Sequence, residues 1–163
     1  MNAKNRNRMG IGALVLSAAA VVSIAQYEGY KDRAYVPVPG DKVTIGHGTT
    51  QYPDGSPVRM GDKVTPERAM VLLKHDASRF EQAVKRCAPV PMHQHEYDAF
   101  VSLTYNIGDG AFCGSTAARL LKAGDYAGAC KQILRWNKFK GVPLRGLTLR
   151  REKEYQTCIG AAP

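Results

Sequence analysis

Glu28 stands in Tyr27-Glu28-Gly29-Tyr30, sixteen residues before Thr44-Ile45-Gly46-His47-Gly48. A carboxyl that ends a helix and is followed by glycine and a hairpin sits where a cleft can form between helical body and sheet. Partly buried there, it can serve as a general acid; fully exposed, it is an ordinary solvated side chain. His47 can orient a neighbouring group or simply pack. Trp136, the only tryptophan, is expected in the core. His93, His95, Glu96 and Asp98 invite a metal reading. The two histidines are two apart and diverge on a helix, unlike the i, i+4 pair of a zinc protease, so no metal is expected. There is no phosphate loop or nucleotide fingerprint, and no cofactor is expected.

These residues need elements to hold them. Residues 34–62 are rich in turns, with signals at Pro39-Gly40-Asp41 and Pro53-Asp54-Gly55. Short extended candidates, Lys42 to Ile45 and Pro57 to Arg59, lie between the turns. They predict a small antiparallel hairpin or three-stranded sheet. Thr65-Pro66-Glu67 then starts a helix, with Thr as cap, Pro in the first turn and Glu at the positive end of the dipole. Its apolar residues recur at helical spacing to about Arg86. A second helix follows Pro91 and carries Tyr97, Phe100, Val101, Leu103 and Tyr105. Ser115 and Asp125 cap two shorter helices, and Gly146 to Cys158 forms a last, charged one. The fold class is α+β, mainly helical, with a small antiparallel β region near the N-terminus.

The 163 residues suit one domain with a real core. Lys and Arg outnumber Asp and Glu by 23 to 14, a net charge of +9, which favours an anionic partner. There is no helix-turn-helix signature and no basic–aromatic interleaving, so nucleic acid is not expected. Lys4, Arg6 and Arg8 precede an uncharged run over residues 9–25, the layout of an export signal. The run is at the short limit for a membrane span and holds much Ala and Gly. It reads as a cleaved signal, a permanent anchor or a temporary one. Cys87, Cys113, Cys130 and Cys158 form no CxxC pair and suit two disulfides in an oxidising compartment, with three pairings open.

Glu28-Gly29, Ala34-Tyr35 and Thr44-Ile45-Gly46-x-Gly48 resemble the opening of the phage-type lysozymes, glycoside hydrolase family 24. The resemblance continues through Thr65-Pro66, Gln94-x-x-Tyr97-Asp98-Ala99-Phe100-Val101-Ser102-x-x-Tyr105-Asn106-x-Gly108, Gly110-x-Phe112, Ser115-Thr116, Trp136, Gly146-Leu147 and Arg150-Arg151. It covers about residues 22–158 and implies a lysozyme-like fold. The family pairs a catalytic Glu with an Asp, or a Cys in its place, and a Thr, with eight residues between the first two and five between the last two. Glu28 matches the proton donor, and Thr44 matches the Thr, whose hydroxyl would help hold a water or the second carboxylate. With eight residues between, the position after Glu28 is Pro37, which cannot ionise. One insertion in the hairpin makes Asp41 the nearest substitute, with Asp32 as a second. If no acid serves, internal attack by a sugar hydroxyl would make the enzyme a lytic transglycosylase. Arg145 resembles the arginine that approaches the catalytic Glu.

The resemblance implies an endolysin that cleaves the β-1,4 bond between N-acetylmuramic acid and N-acetylglucosamine in peptidoglycan, for host lysis. A catalytically dead, membrane-tethered wall-binding module is the reading of a different class. The family's first helix lies here within the apolar run, and cleavage after Ala25 would remove it. The run therefore resembles a signal-arrest-release segment, which gives residues 1–26 as an uncleaved anchor and 27–163 as the catalytic domain. Expected partners are peptidoglycan, the host export machinery and, through residues 9–25, the inner membrane before release into the periplasm. The protein is expected to act as a monomer.

Overall fold

The computed structural model describes residues 7–161, so Lys4 and Arg6 lie outside the described part. A 3₁₀ turn at Ile11–Ala13 precedes helix α1 (Ala18–Glu28), strand β1 (Lys31–Tyr35) and strand β2 (Thr44–Gly46). Then come α2 (Pro66–Cys87), α3 (Gln94–Ile107), α4 (Asp109–Cys113), α5 (Thr116–Lys122) and α6 (Tyr126–Ile133). Two two-residue strands, β3 (Lys138–Phe139) and β4 (Val142–Pro143), lead into α7 (Arg145–Cys158). The chain divides into two compact units. One is Ala18–Arg79; the other joins the residues up to Ser17 to those from Phe80 onward.

The Ala18–Arg79 unit holds the expected hairpin. β1 and β2 pair antiparallel as a two-stranded sheet, with Lys31 opposite Gly46 and Tyr35 opposite Thr44. β1 advances four residues while β2 advances two, so the strand bulges around Asp32 and Arg33. The other edge of β1 makes a bridge at Arg33–Lys63. Behind the hairpin Ala34, Ile45 and Val58 are buried, with Val43, Tyr52 and Val64 packed on them. Gly46 has φ +64°, and a Cβ there would lie 3.1 Å from the Cβ of Ala69 on α2. Glycine thus lets the hairpin approach the helix and adopt a left-handed turn at once.

In the other unit α3 is buried over most of its length and packs on α7, while α6 packs on both α5 and α7. The expected caps form: Ser115 accepts from the Ala118 N–H at 3.1 Å, and Asp125 from the Gly128 N–H at 2.8 Å. Two disulfides join Cys87 to Cys113 and Cys130 to Cys158, selecting one of the three pairings. The first ties the end of α2 to α4, and the second ties α6 to the end of α7.

The apolar run is not one helix. It turns at Ile11–Ala13, continues without regular structure through Ser17 and becomes helical only at Ala18. Among the described residues no helix is long and apolar enough to cross a membrane.

Candidate functional site

Glu28 is the last residue of α1. Gly29 follows with φ +73°, its N–H donating to the Ala25 carbonyl at 3.1 Å, a left-handed glycine cap. The Gly29 carbonyl in turn accepts from His47 Nδ1. The donor role fixes the proton on Nδ1. His47 is buried, and its ring lies 5.7 Å from that of Tyr30. The turn after β2 therefore grips the backbone immediately after Glu28. The glutamate side chain is exposed, not the partly buried carboxyl that its position suggested.

Thr44 opens β2, is buried, and donates its hydroxyl to the Lys42 carbonyl at 3.0 Å. Asp41 closes the turn Val38-Pro39-Gly40-Asp41, where its N–H donates to the Val38 carbonyl at 2.9 Å. Pro39 at the first central position and Gly40 with φ +92° at the second match a type II turn. Asp41 faces solvent. Asp32 is also exposed and lies in the bulge, with only a long 3.9 Å ion pair to its neighbour Arg33. Pro37 is exposed just before the turn. The hairpin thus carries Asp41 and Thr44 on one connection and ties the end of α1 to their strand through His47. Lys42, Val43, Thr50, Gln51, Pro57 and Val58 line a cavity of about 360 Å³ beside β2.

Arg145 is the exposed first residue of α7 and belongs to the other compact unit. Trp136, expected in the core, is only half-buried. It borders a cavity of about 360 Å³ with Ser115, Thr116, Gln132 and Arg135.

The residues weighed as metal ligands have other tasks. His93 and Glu96 close a capping box at the start of α3, and His95 Nδ1 bonds the Cys158 carbonyl at 3.0 Å. Glu96 takes the Arg8 guanidinium with two contacts, at 2.7 and 2.9 Å, and that guanidinium also lies 3.6 Å from the Tyr126 ring centroid. Asp98 accepts from the Ser17 N–H at 3.1 Å and the Ser17 hydroxyl at 2.6 Å. Glu81 accepts from the Leu16 N–H at 2.7 Å, and Gln94 donates to the Val15 carbonyl at 2.8 Å. Met9 and Met92 exchange both backbone bonds. The Glu81, Gln94 and Asp98 side chains replace helical hydrogen bonds that Val15, Leu16 and Ser17 do not make. Sequence reasoning missed this cradle. Its one signal was acids placed within otherwise buried helical stretches.

Deeper in the same unit, Arg151 is fully buried with Glu154, which also takes Arg150 and the Ser102 hydroxyl at 2.7 Å. Burial pushes the Glu154 carboxyl above the ordinary glutamate value, against the pull of both arginines and Ser102.

A family model for phage lysozyme matches residues 25–154. The endolysin of Bacillus phage B103 is 38% identical over 140 residues, which are 85% of this chain and 52% of that protein. The chain thus spans about half the length of that relative. The SAR-endolysin of Enterobacteria phage P21 is 30% identical over 154 residues, 93% of this chain and 90% of that one. A crystal structure of a mutant P22 lysozyme superposes with a TM-score of 0.81 at 34% identity, covering 90% of this chain and 99% of the other. With a mainly helical fold and its small antiparallel hairpin, the chain belongs to the phage lysozyme family.

Proposed function

We propose that this chain is an endolysin that hydrolyses the β-1,4 bond between N-acetylmuramic acid and N-acetylglucosamine in peptidoglycan. The observation that carries the reading is Glu28 at the glycine-capped end of α1, with its following carbonyl gripped by His47 of the hairpin. Glu28 donates a proton to the leaving glycosidic oxygen. Water adds to the anomeric carbon and gives its proton to the second carboxylate, assigned to Asp41. Thr44 helps hold that water or carboxylate through its oxygen lone pairs, its own proton being directed to Lys42. His47 positions the Glu28 backbone, and Arg145 keeps the supporting role that the family resemblance gives it. The net charge of +9 draws the enzyme to an anionic wall.

The N-terminal segment, residues 1–26, is the regulator. Export machinery inserts residues 9–25 in the inner membrane, and the protein waits there facing the periplasm. On release the run settles on Glu81, Gln94 and Asp98, with Arg8 before it on Glu96, and α1 completes the site. Two observations support this. Residues 14–17 of the docked run are not helical, which is incompatible with a continuous spanning helix. The relative in phage P21 bears the name SAR-endolysin.

Mass spectrometry of peptidoglycan fragments released by the purified protein tests the chemistry. Reducing-end sugars are expected. Anhydro ends would make it a transglycosylase, and no fragments would leave a wall-binding module. Replacing Gly10, Gly12 and Ala18 together by leucine tests release, since a more apolar run leaves the bilayer less readily. Delayed lysis is expected, and lysis on schedule would overturn the anchor.

A further inference from the structure

The β3–β4 hairpin is an isolated two-stranded ribbon whose apolar side chains face solvent. Phe139 is 61% exposed, Val142 62% and Leu144 43%. Phe139 pairs directly with Val142, so both project from one face. The base is closed by the Leu144 N–H donating to the Asn137 carbonyl at 2.9 Å. At the tip Lys140 has φ +48° and Gly141 φ +81°, the signature of a type I′ turn. Among the described residues Lys140 is the only non-glycine with positive φ. Asn or Gly would suit that position better, so the fold holds a cation at the tip against backbone preference.

The flanking sequence is one-signed. No acid occurs between Asp125 and Glu152, while seven Lys and Arg fall in that stretch, of which Arg150 and Arg151 are buried on Glu154. Arg135, Lys138 and Lys140 are exposed, and Lys140 Nζ lies 5.6 Å from the Phe139 ring centroid. Cations beside large apolar side chains on an exposed hairpin match one kind of surface. Anionic headgroups attract the lysines, and the acyl boundary takes the Phe, Val and Leu side chains. A hydrated wall polymer satisfies the charges and leaves the apolar groups in water.

We propose that the β3–β4 hairpin is a membrane-contacting tip that seats the protein on an anionic bilayer surface, with Phe139, Val142 and Leu144 entering the headgroup–acyl boundary. This surface is separate from the N-terminal run, and the proposal stands or falls independently of the hydrolase reading.

Co-sedimentation of the full chain with phosphatidylglycerol vesicles and with phosphatidylcholine vesicles tests it. Two double variants are compared with the wild type, Phe139→Ser with Val142→Ser, and Lys138→Gln with Lys140→Gly. The N-terminal run is the same in all three, so differences isolate the hairpin. Wild type is expected to prefer phosphatidylglycerol, and each pair to weaken that binding about tenfold or more. A Phe139→Trp variant in a Trp136→Phe background should shift its emission to the blue on phosphatidylglycerol alone, which keeps the test open if a double variant misfolds. Equal binding to both lipids, no loss in a folded double variant, or no emission shift would overturn the proposal. Loss of binding to isolated peptidoglycan with vesicle binding intact would overturn it too, and assign the face to the wall.

Discussion

The carboxylates of the hairpin region and those of the α3–α7 face are treated in opposite ways. Glu28, Asp32 and Asp41 face solvent at the end of α1, in a strand bulge and at a glycine-built turn. Glu96, Asp98 and Glu154 are buried and taken up by guanidinium, hydroxyl and amide donors. A carboxylate whose acceptor sites are consumed by the fold holds structure together. One that the backbone holds in position while it faces solvent can meet a substrate. In the hairpin region the positioning falls to backbone devices: the Gly29 cap, the Gly40 turn, and the His47 bond to a carbonyl.

Substitutions on either side of this contrast can break it. Arg151→Met removes a fully buried cation and leaves Glu154 poorly matched; a loss of about 3–5 kcal/mol is expected in denaturant titration. Removing the Cys130–Cys158 disulfide by a double alanine substitution opens a loop of separation 28 and should cost about 3–4 kcal/mol by the same measurement. Asp98→Ala strands the Ser17 amide and hydroxyl and should cost about 2–3 kcal/mol. It should also speed amide exchange at residues 14–17, which would sharpen the link between acid and docked segment.

Asp76 offers a finer test inside the hairpin unit. Burial raises its pKa, while the Thr49 hydroxyl at 2.6 Å and the neighbouring His75 oppose the rise. An acid with a raised folded pKa binds more protons folded than unfolded. Its contribution to stability is full below the ordinary value of 3.8 and is lost as pH rises through the folded value. Asp76→Asn should flatten the pH dependence of the melting temperature across that window. Asp41→Asn should have the smallest effect on stability, within about 0.5 kcal/mol. It should still slow wall cleavage about a hundredfold. If Asp41→Asn unfolds the protein, the contrast fails on its chemical side.

Much of the fold was legible because its signals are local. The Ser115 and Asp125 caps, the Thr65-Pro66 helix start and the Pro39-Gly40 turn each act within a few residues. The glycines of Thr44-Ile45-Gly46-His47-Gly48 also have a local reason, since Gly46 and Gly48 both take positive φ. The non-helical stretch over residues 14–17 was not legible. Its hydrogen-bond partners lie 65 to 81 residues away, so an apolar run of helix formers shows no sign of breaking. The β3–β4 hairpin escaped notice because each strand has two residues and Lys140-Gly141 lacks the usual Asn-Gly turn signal. The disulfide pairing needed three-dimensional proximity. At the candidate site, the grip of His47 on Gly29 became visible only once the hairpin closed on the end of α1.

The assignment of Glu28 as the proton donor is tested most directly by the rate at which Glu28→Gln solubilises purified peptidoglycan, read beside its melting temperature. An unchanged melting temperature and a rate reduced about a thousandfold or more are predicted. A folded Glu28→Gln protein that cleaves within about tenfold of wild type would contradict that role for Glu28.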